Sequence, residues 1–364
     1  MSLSPQAVRH LWAYSRAHFR SQRGASPIQQ RRFGLHSFCK ATAALVLTLA
    51  LAPMLGSCTN RGTGAASTSP NDPENRPSVV ATSTIIADLT QEIAGDEIVL
   101  TSILRPGDDP HVYEPVPADI KAVERADLVL YNGFNLEPAL IRLMAAVGQD
   151  APQIAVGEAA DALEMDKAGQ KQPDPHVWGD VRNAIAMVNA IRDALIEISP
   201  EDETLFISNA QTLNAQLNDL DTWVYRQIET IPKEKRLLVT THDAFQYYAQ
   251  AYELEMLGTL IGISTEEQPS AQTIQALVSE IKARQVPAIF AETTINPQLI
   301  QTVAAEAGVK LSPQALYSDS IGAVGSPGES YIKMIEANTK AIVEALGGRY
   351  QPFVASAAGA AGAK

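Results

Sequence analysis

Residues 199–232 read SPEDETLFISNAQTLNAQLNDLDTWVYRQIETIP and predict one long amphipathic α-helix. Apolar side chains recur there at steps of three and four residues, which places them along one face of a helix. They are Leu213, Leu217, Leu220, Val224, Ile228 and Ile231. Ser199 is expected to cap the helix, Pro200 suits its first position, and Pro232 ends it. At the α-helical rise such a helix is about 45 Å long, enough to bridge two lobes, and its stiffness would limit their closure.

Short apolar runs alternate with helical patterns on both sides of this segment, which is typical of βαβ units and parallel sheets. The strands expected are Val79–Thr82, Ile98–Leu104, Leu128–Asn132 and Gln153–Val156 before the segment, and Arg236–Thr241, Glu255–Ile261, Ala288–Glu292 and Lys310–Tyr317 after it. The helices expected include Ile85–Ala94, Pro117–Ala126, Ala244–Tyr252, Ser270–Arg284, Pro297–Ala307 and Tyr331–Leu346. We therefore expect an α/β fold in which two similar lobes, residues 79–198 and 233–348, are joined by the helix at 199–232.

The first 57 residues have the composition of an export signal rather than of a folded domain. They carry seven basic residues, no acidic residue, and an apolar run from Ala43 to Leu55. That run is too short for a membrane-spanning helix, which needs about 20 residues. Leu55-Gly56-Ser57-Cys58 is typical of a lipobox, so we predict a lipoprotein signal peptide at 1–57 and lipid attachment to Cys58. An ordinary signal cleaved elsewhere and twin-arginine export through Arg31-Arg32 remain alternatives.

The rest of the chain is acidic and contains no cysteine beyond Cys58. Loss of the seven basic residues of the signal changes the formal charge from −13 to −20. This charge argues against nucleic acid as a partner, because phosphates require a basic face. Residues 58–78 are expected to form a flexible tether, and residues 349–364 an Ala/Gly-rich tail. Stability must therefore come from a buried core and not from disulfides.

Only three histidines follow the signal segment, and each lies in a short motif near the end of an expected strand. His111 belongs to Asp109-Pro110-His111-Val112-Tyr113, His176 to Asp174-Pro175-His176-Val177-Trp178, and His242 to Thr240-Thr241-His242-Asp243-Ala244-Phe245. Open α/β sheets bind ligands at the carboxyl ends of their strands, so these side chains are expected to meet in the cleft between the lobes. One such histidine alone is more often a hydrogen-bonded loop residue. Three together predict a transition-metal site, because imidazole is the commonest protein ligand of zinc.

A tetrahedral zinc site needs a fourth ligand. Asp319, in the turn Tyr317-Ser318-Asp319-Ser320-Ile321-Gly322, is the best candidate, although it could instead cap that turn. Glu292, at the end of an expected strand, is the competing candidate and could alternatively orient an imidazole by accepting its second N–H. Tyr113 and Trp178 are expected to pack around the site rather than to bind the metal.

These motifs resemble those of the solute-binding lipoproteins of zinc and manganese ABC importers, a family also grouped with adhesin lipoproteins. The resemblance covers residues 79–346 and rests on the lipobox, DPHVYEP, DPHVWGD, VTTHDAFQYYAQAY, IFAET and SDSIG. It implies two Rossmann-like lobes with parallel sheets joined by one long rigid helix. The metal ligands that it implies are His111, His176, His242 and Asp319. It also implies an exported, membrane-anchored protein that delivers a divalent metal to an ABC permease, and we expect a monomer without enzymatic activity.

The identity of the metal depends mainly on position 242. Manganese-binding members of the family often have Glu where this chain has His242. Three imidazoles with one carboxylate suit zinc, whereas manganese prefers more oxygen ligands. Zinc-binding members frequently carry a long loop rich in His and acidic residues before the second ligand, but residues 158–173 are short and contain no histidine. This departure weakens the case for zinc without favouring manganese. On its donor set the sequence favours zinc, with manganese as the alternative.

Two other classes of function are compatible with a site of this composition. A zinc hydrolase would use the three histidines as ligands, leave the fourth position to water and use Glu292 as general base. Against it, the chain has no HExxH motif, and Asp319 would fill the fourth position. An adhesion protein is suggested by the family label alone, because no segment of the sequence marks an adhesive surface.

Overall fold

The computed structural model describes residues 76–148, 150–167 and 170–356, so the predicted signal peptide, Cys58 and most of the predicted tether lie outside the described residues. The strands are β1 Ser78–Ala81, β2 Val99–Ser102, β3 Leu128–Tyr131, β4 Gln153–Ala155, β5 Glu164–Lys167, β6 Gln170–Pro173, β7 Leu237–Thr240, β8 Glu255–Thr259, β9 Ala288–Ile289 and β10 Lys310–Leu311. The α-helices are α1 Thr84–Ala94, α2 Pro117–Glu124, α3 Pro138–Val147, α4 Val181–Ile198, α5 Glu203–Glu229, α6 Gln246–Ala251, α7 Ala271–Arg284, α8 Gln298–Ala307 and α9 Tyr331–Ala345.

The strands before the long helix α5 include one parallel sheet with the order β2-β1-β3-β4. Both faces of its strand β1 are covered. Val79 and Ala81 pack in the core that includes α1, α4 and α5, whereas Val80 packs in the core that includes α2 and α3. A parallel strand that is buried on both faces needs a nearly continuous apolar sequence, which explains the run that marks β1.

The strands after α5 repeat this arrangement. β7 pairs with β8 and β9 pairs with β10, both in parallel, and the backbone N–H of Phe290 donates to Val239 O at 3.0 Å to connect the two pairs. The resulting order is β8-β7-β9-β10. In both sheets the second strand in the chain lies at one edge, followed by the first, the third and the fourth. The expected α/β architecture with parallel sheets is therefore confirmed.

Strands β9 and β10 are shorter than the strands expected at Ala288–Glu292 and Lys310–Tyr317. Each contributes two residues to the ladder, and a separate parallel bridge joins Glu292 to Leu316. Pro313 lies between β10 and this bridge and has no N–H to donate. The ladder therefore breaks at Pro313 and resumes beside Glu292.

Helix α5 is present as expected, but the α-helix begins at Glu203 and not at Ser199, so the expected cap was wrong. Residues 200–202 form a 3₁₀ turn, and the Ser199 hydroxyl donates to Asp202 Oδ2 at 2.6 Å instead of accepting a backbone N–H. The 27 residues of α5 extend over about 40 Å. Helices α1 and α4 pack on it from the first half of the chain, and α9 packs on it from the second. In the described ranges, neither α5 nor any other helix is both long and apolar enough to span a membrane.

Two parts of the fold lie where the sequence patterns indicate no packed structure. An antiparallel hairpin, β5–β6, precedes the second DPHV motif. Residues 349–356 of the expected tail pack along α5, where Trp223 Nε1 donates to Gln351 O at 3.0 Å and Gln351 N donates to Gln227 Oε1 at 2.8 Å. Because helices from both halves of the chain pack on α5, the division into lobes at residues 198 and 232 stays a prediction.

Truncation of a buried side chain on α5 should destabilise the protein, because it leaves a cavity in the core that α5 shares with α1, α4 and α9. We expect Leu217→Ala, at a fully buried position, to lower the free energy of unfolding by about 2–5 kcal/mol in urea denaturation. The matched control, Leu205→Ala, makes the same change at a position that is 39% exposed and should cost about 1 kcal/mol or less. Equal losses at the two positions would contradict this assignment of the buried face.

Candidate metal centre

Four polar side chains converge at the carboxyl ends of the two sheets. His111 lies in the loop after β2, His176 precedes the 3₁₀ turn 177–179, His242 lies two residues after β7, and Asp319 lies in the loop after β10. The parallel strands of each sheet end at one edge, which explains why residues so distant in sequence can meet. All four are buried, since His111 is 4% exposed and the others are 1% exposed or less.

The donor atoms of these residues face one another. One ligand atom from each of the four residues lies within 4.8 Å of the others. His111 Nε2 lies 3.2 Å from His176 Nε2, and Asp319 approaches His176 Nε2 at 3.4 Å and His242 Nε2 at 3.2 Å. His242 Nε2 and Asp319 Oδ1 are buried and make no hydrogen bond. Buried polar atoms without partners are unfavourable, so their convergence indicates a binding site for a cation.

Two of the imidazoles are oriented by buried carboxylates. His176 Nδ1 lies 2.7 Å from Asp174 Oδ1, and His242 Nδ1 donates to Glu292 Oε2. A carboxylate only accepts, so these contacts place a proton on Nδ1 and leave Nε2 to face the centre. Glu292 Oε1 also accepts the backbone N–H groups of Thr241 and His242, each at 2.8 Å, which fixes this carboxylate against the end of β7.

The repeated DPHV motif has a local geometric basis. In each copy, the aspartate accepts the backbone N–H of the histidine two residues later, at 2.9 Å for Asp109 and His111 and at 3.0 Å for Asp174 and His176. This Asx turn holds the imidazole on a tight loop. Asp174 uses the same oxygen to contact the His176 ring, a role that the sequence patterns did not reveal.

The two acidic candidates occupy different places. Asp319 belongs to the cluster of four ligand-type residues. Glu292 lies behind His242 and is engaged by three N–H donors. This placement fits Asp319 as a fourth ligand and Glu292 as the group that orients His242.

The two aromatic residues of the DPHV motifs lie outside this cluster of donors. The Tyr113 hydroxyl donates to Asp119 Oδ2 at 2.9 Å and is thereby engaged at the start of α2. The Trp178 ring packs edge-on against His176, with ring centroids 5.5 Å apart. Both side chains therefore serve packing or hydrogen bonding around the site.

The charges of the site shift the pKa values of its members in opposite directions. Burial lowers the pKa of His111 to about 3, so this imidazole is neutral at ordinary pH. Burial alone would lower the pKa of His242, but the carboxylates of Glu292 and Asp319 outweigh it and raise that pKa well above its usual range. Burial alone would raise the pKa of Asp319, but the neighbouring histidines hold it below its ordinary range. A cation that binds here therefore competes with a proton on His242.

A buried polar network holds the second DPHV motif from the side of the first sheet. Asn132 Nδ2 donates to Pro175 O at 2.9 Å. The backbone N–H of Asn132 and the hydroxyl of Thr82 both donate to Glu137 Oε1, at 2.7 Å and 2.8 Å. Residues 133–135 all have positive φ, with values of 84°, 50° and 59°. Glycine and asparagine adopt this conformation readily, but it is strained for Phe134 and persists there only because the surroundings fix it. The Asn-Gly pair after β3 marks a turn in the sequence, but nothing local indicates this network.

A cavity of about 660 Å³ opens beside the cluster. Of the four clustered residues, His111 lines it, together with Phe134, Pro175, Ile263 and Ser264 among others. His111 is therefore the member of the cluster that borders this cavity, and it is also the most exposed of the four.

Residues 79–345 match the model of the family described as ZnuA, zinc-uptake complex component A, periplasmic. The chain belongs to this family. The manganese-binding lipoprotein MntA of Halalkalibacterium halodurans is 33% identical over 285 residues, which cover 78% of this chain and 93% of that protein. The manganese ABC transporter substrate-binding lipoprotein PsaA of Streptococcus anginosus is 34% identical over 275 residues, which cover 74% of this chain and 88% of that protein.

Solved structures of the family share the fold. The periplasmic zinc-binding protein TroA of Treponema pallidum aligns with a TM-score of 0.71 at 33% identity, covering 74% of this chain and 99% of that chain. The family consists of solute-binding proteins of ABC transporters and not of enzymes. The family membership and the fold class expected from the sequence are therefore confirmed.

Glu137 should make part of the stability depend on pH. Burial raises its pKa from 4.5 to about 7. A raised pKa means that the folded protein binds the proton more tightly than the unfolded chain does, so this contribution to stability is complete below pH 4.5 and is lost as the pH rises through about 7. In metal-free protein, we expect the wild type to lose about 1–3 kcal/mol of unfolding free energy relative to Glu137→Gln between about pH 5 and pH 8.

The comparison is made by urea denaturation at each pH. Glu124→Gln, which changes an exposed carboxylate at the end of α2, is the control and should follow the pH dependence of the wild type. If all three proteins gave parallel curves, the buried carboxylate of Glu137 would not be the source of the dependence.

Proposed function

We propose that this protein captures a divalent transition metal through His111, His176, His242 and Asp319 and delivers it to the membrane permease of an ABC importer. The proposal is carried by the convergence of four buried ligand atoms, two of which make no hydrogen bond. What favours a metal site is that one ligand atom from each of four residues is directed at the same point, as the binding of a single ion requires. The protein supplies all the donors that a tetrahedral ion needs, which suits capture of an ion as cargo rather than catalysis.

Zinc is the metal that this donor set favours. Three imidazole nitrogens and one carboxylate oxygen form a set of the kind that zinc binds tetrahedrally, whereas manganese prefers more oxygen ligands in octahedral geometry. Of the three relatives described above, two are named for manganese and one for zinc, so membership of the family does not decide between the metals. We propose zinc as the preferred ion and manganese as the alternative.

The relatives are lipoproteins that serve as substrate-binding components of metal ABC transporters. We infer the same arrangement for this chain, with export, lipid attachment to Cys58 and a tethered body on the outer face of the cytoplasmic membrane, where the permease lies. The motif at residues 55–58 supports the anchor. We also propose that the protein acts as a monomer, because one chain supplies all four donors.

The alternative functions have less support. A hydrolase needs an open metal position for water and a free general base. Asp319 faces the histidines, and Glu292 is engaged by three N–H donors, so both roles are already filled within this centre. The geometry of the centre has no bearing on adhesion.

One zinc ion per chain should bind through the clustered residues when chelator-treated protein is titrated by isothermal calorimetry. His111→Ala should weaken the affinity by more than about 100-fold, because loss of a group that merely supports a ligand already costs about 10–100-fold. Asp319→Asn should act in the same direction, since it removes the negative charge that faces the ion. The control Asp193→Asn changes an exposed carboxylate that pairs with Arg192 on α4 and should bind like the wild type. Absent binding by the wild type, or undiminished binding by His111→Ala, would contradict the proposed function.

Position 242 should control the choice of metal. His242→Glu replaces an imidazole nitrogen by a carboxylate oxygen, and we expect the preference for zinc over manganese to fall by about tenfold or more in a competition titration. Glu292→Gln is the matched control, because it weakens the orientation of His242 without changing the ligand atom. This control should lower the affinity for both metals and leave their ratio unchanged. The same ratio in His242→Glu as in the wild type would exclude this role for position 242.

A further inference from the structure

Trp178 connects the two halves of the chain at the metal centre. It lies two residues after His176 in a short 3₁₀ turn and is 4% exposed. Its indole Nε1–H donates to Ser318 O at 2.9 Å, and its own carbonyl oxygen accepts the hydroxyl of Tyr331 at 2.7 Å. Ser318 immediately precedes Asp319. Trp178 therefore links the turn that follows His176, before α5, to the loop that contains Asp319, after α5.

The surroundings of Trp178 leave it little freedom to move. Its ring meets the His176 ring at an interplanar angle of 73°. The next residue, Gly179, packs so closely on α6 that a Cβ at this position would lie 3.2 Å from Tyr248 N. Tyr331, which donates to the Trp178 carbonyl, is fully buried. A side chain held in this way by packing and hydrogen bonds can position the groups that it contacts.

The two loops that Trp178 connects carry His176 and Asp319, whose Nε2 and Oδ1 atoms are 3.4 Å apart. An ion bound to both residues would be held between their two loops, so separation of the loops would lengthen its bonds to His176 and Asp319 and favour its departure. Separation of the loops would break the hydrogen bond from Trp178 to Ser318. Loss of this bond is unfavourable, because it leaves the buried indole N–H and the carbonyl oxygen of Ser318 without their partner.

Other contacts between the halves hold the opposite side of Asp319. Ser320 Oγ lies 3.1 Å from Thr84 Oγ1 and accepts the backbone N–H of Gly107 at 3.0 Å. These contacts fix the residue after Asp319, whereas Trp178 fixes the residue before it. The contact made by Trp178 differs from them because the same side chain also packs on a histidine of the cluster.

We infer that Trp178 is a positioning residue for metal retention, which holds Ser318 against the turn that follows His176 and so slows the departure of the ion. This role rests on the proposed function, because it concerns the same centre. Trp178 does not bind the metal. Its effect should fall mainly on the dissociation rate, since differences in affinity among variants of one site usually do.

Trp178→Phe tests this role because it removes the indole donor but keeps an aromatic ring. The matched control is Trp223→Phe. Trp223 Nε1 also donates to a backbone carbonyl oxygen, that of Gln351 at 3.0 Å, and its ring also packs against aromatic neighbours, but it lies on α5 and outside the cluster. The measurements are the association rate of zinc, its dissociation rate into excess EDTA by stopped flow, and the thermal unfolding midpoint of each metal-free protein.

We expect Trp178→Phe to release zinc about tenfold faster than the wild type, with an association rate changed by less than about twofold. Trp223→Phe should release zinc at the wild-type rate. This should hold even if the two substitutions lower the thermal unfolding midpoint by the same amount. Release from Trp178→Phe at the wild-type rate would overturn the inference. Equally accelerated release from both variants would also overturn it, because the cause would then be general destabilisation.

Tyr331→Phe is the second variant and removes only the hydroxyl that donates to the Trp178 carbonyl. We expect it to accelerate release to a smaller extent, and it decides the question if Trp178→Phe does not fold. In that case an unchanged rate in Tyr331→Phe rejects the inference. A wild-type protein that binds no zinc would reject the proposed function itself. If the wild type binds zinc but Trp178→Phe releases it at the wild-type rate, only the role of Trp178 is rejected and the proposed function stands.

Discussion

The enclosure of three imidazoles and one carboxylate in a buried centre is the constraint on which the rest of the structure depends. Removing Asp319 from water is unfavourable, and burial alone would raise its pKa while it lowers the pKa of a buried imidazole. The fold offsets this cost by pairing, since Asp174 and Glu292 accept Nδ1 protons and Asp319 faces the Nε2 atoms of His176 and His242. Within the cluster of four residues, His242 Nε2 and Asp319 Oδ1 remain without a hydrogen bond, and a cation would satisfy them. The centre is therefore complete only when it holds a positive charge.

The duplicated sheet order delivers the four donors as two pairs. His111 and His176 come from the half before α5, and His242 and Asp319 come from the half after it. His176 and Asp319 both follow the fourth strand of the main sheet in their half, so the second DPHV motif and the SDSIG turn occupy corresponding places in the repeat. Trp178 joins these two corresponding places through Ser318. The repeat thus accounts for the matching places of His176 and Asp319, which Trp178 connects, whereas His111 follows the second strand of its sheet and His242 follows the first strand of its own.

Sequence patterns predict the fold class and the three clustered histidines because these features are marked locally. The scarcity of histidine after the signal segment reveals His111, His176 and His242, and the alternation of apolar runs reveals the sheets. Asp319 is less clearly marked, because Glu292 is an equally local candidate and only the family resemblance favours Asp319. The groups that orient the ligands are harder to predict, since the contact of Glu292 with His242 and that of Asn132 with Pro175 join residues that are far apart in sequence. The start of α5 is ambiguous for another reason, because a proline at position 200 suits a 3₁₀ turn as well as an α-helix.

In the proposed function, the same contacts would limit how a bound ion leaves. Helices from both halves pack along α5, so a hinge within α5 would disrupt the shared core, and local movement of a loop is less costly. The loop around Asp319 is the natural candidate, because it is held by discrete hydrogen bonds from Trp178 on one side and through Ser320 on the other. Its movement would withdraw the carboxylate that faces the ion, and a buried cation that loses its counter-charge is strongly destabilised. The hydrogen bonds on either side of Asp319 would then control both the retention and the release of the ion, because they determine whether the Asp319 carboxylate faces it.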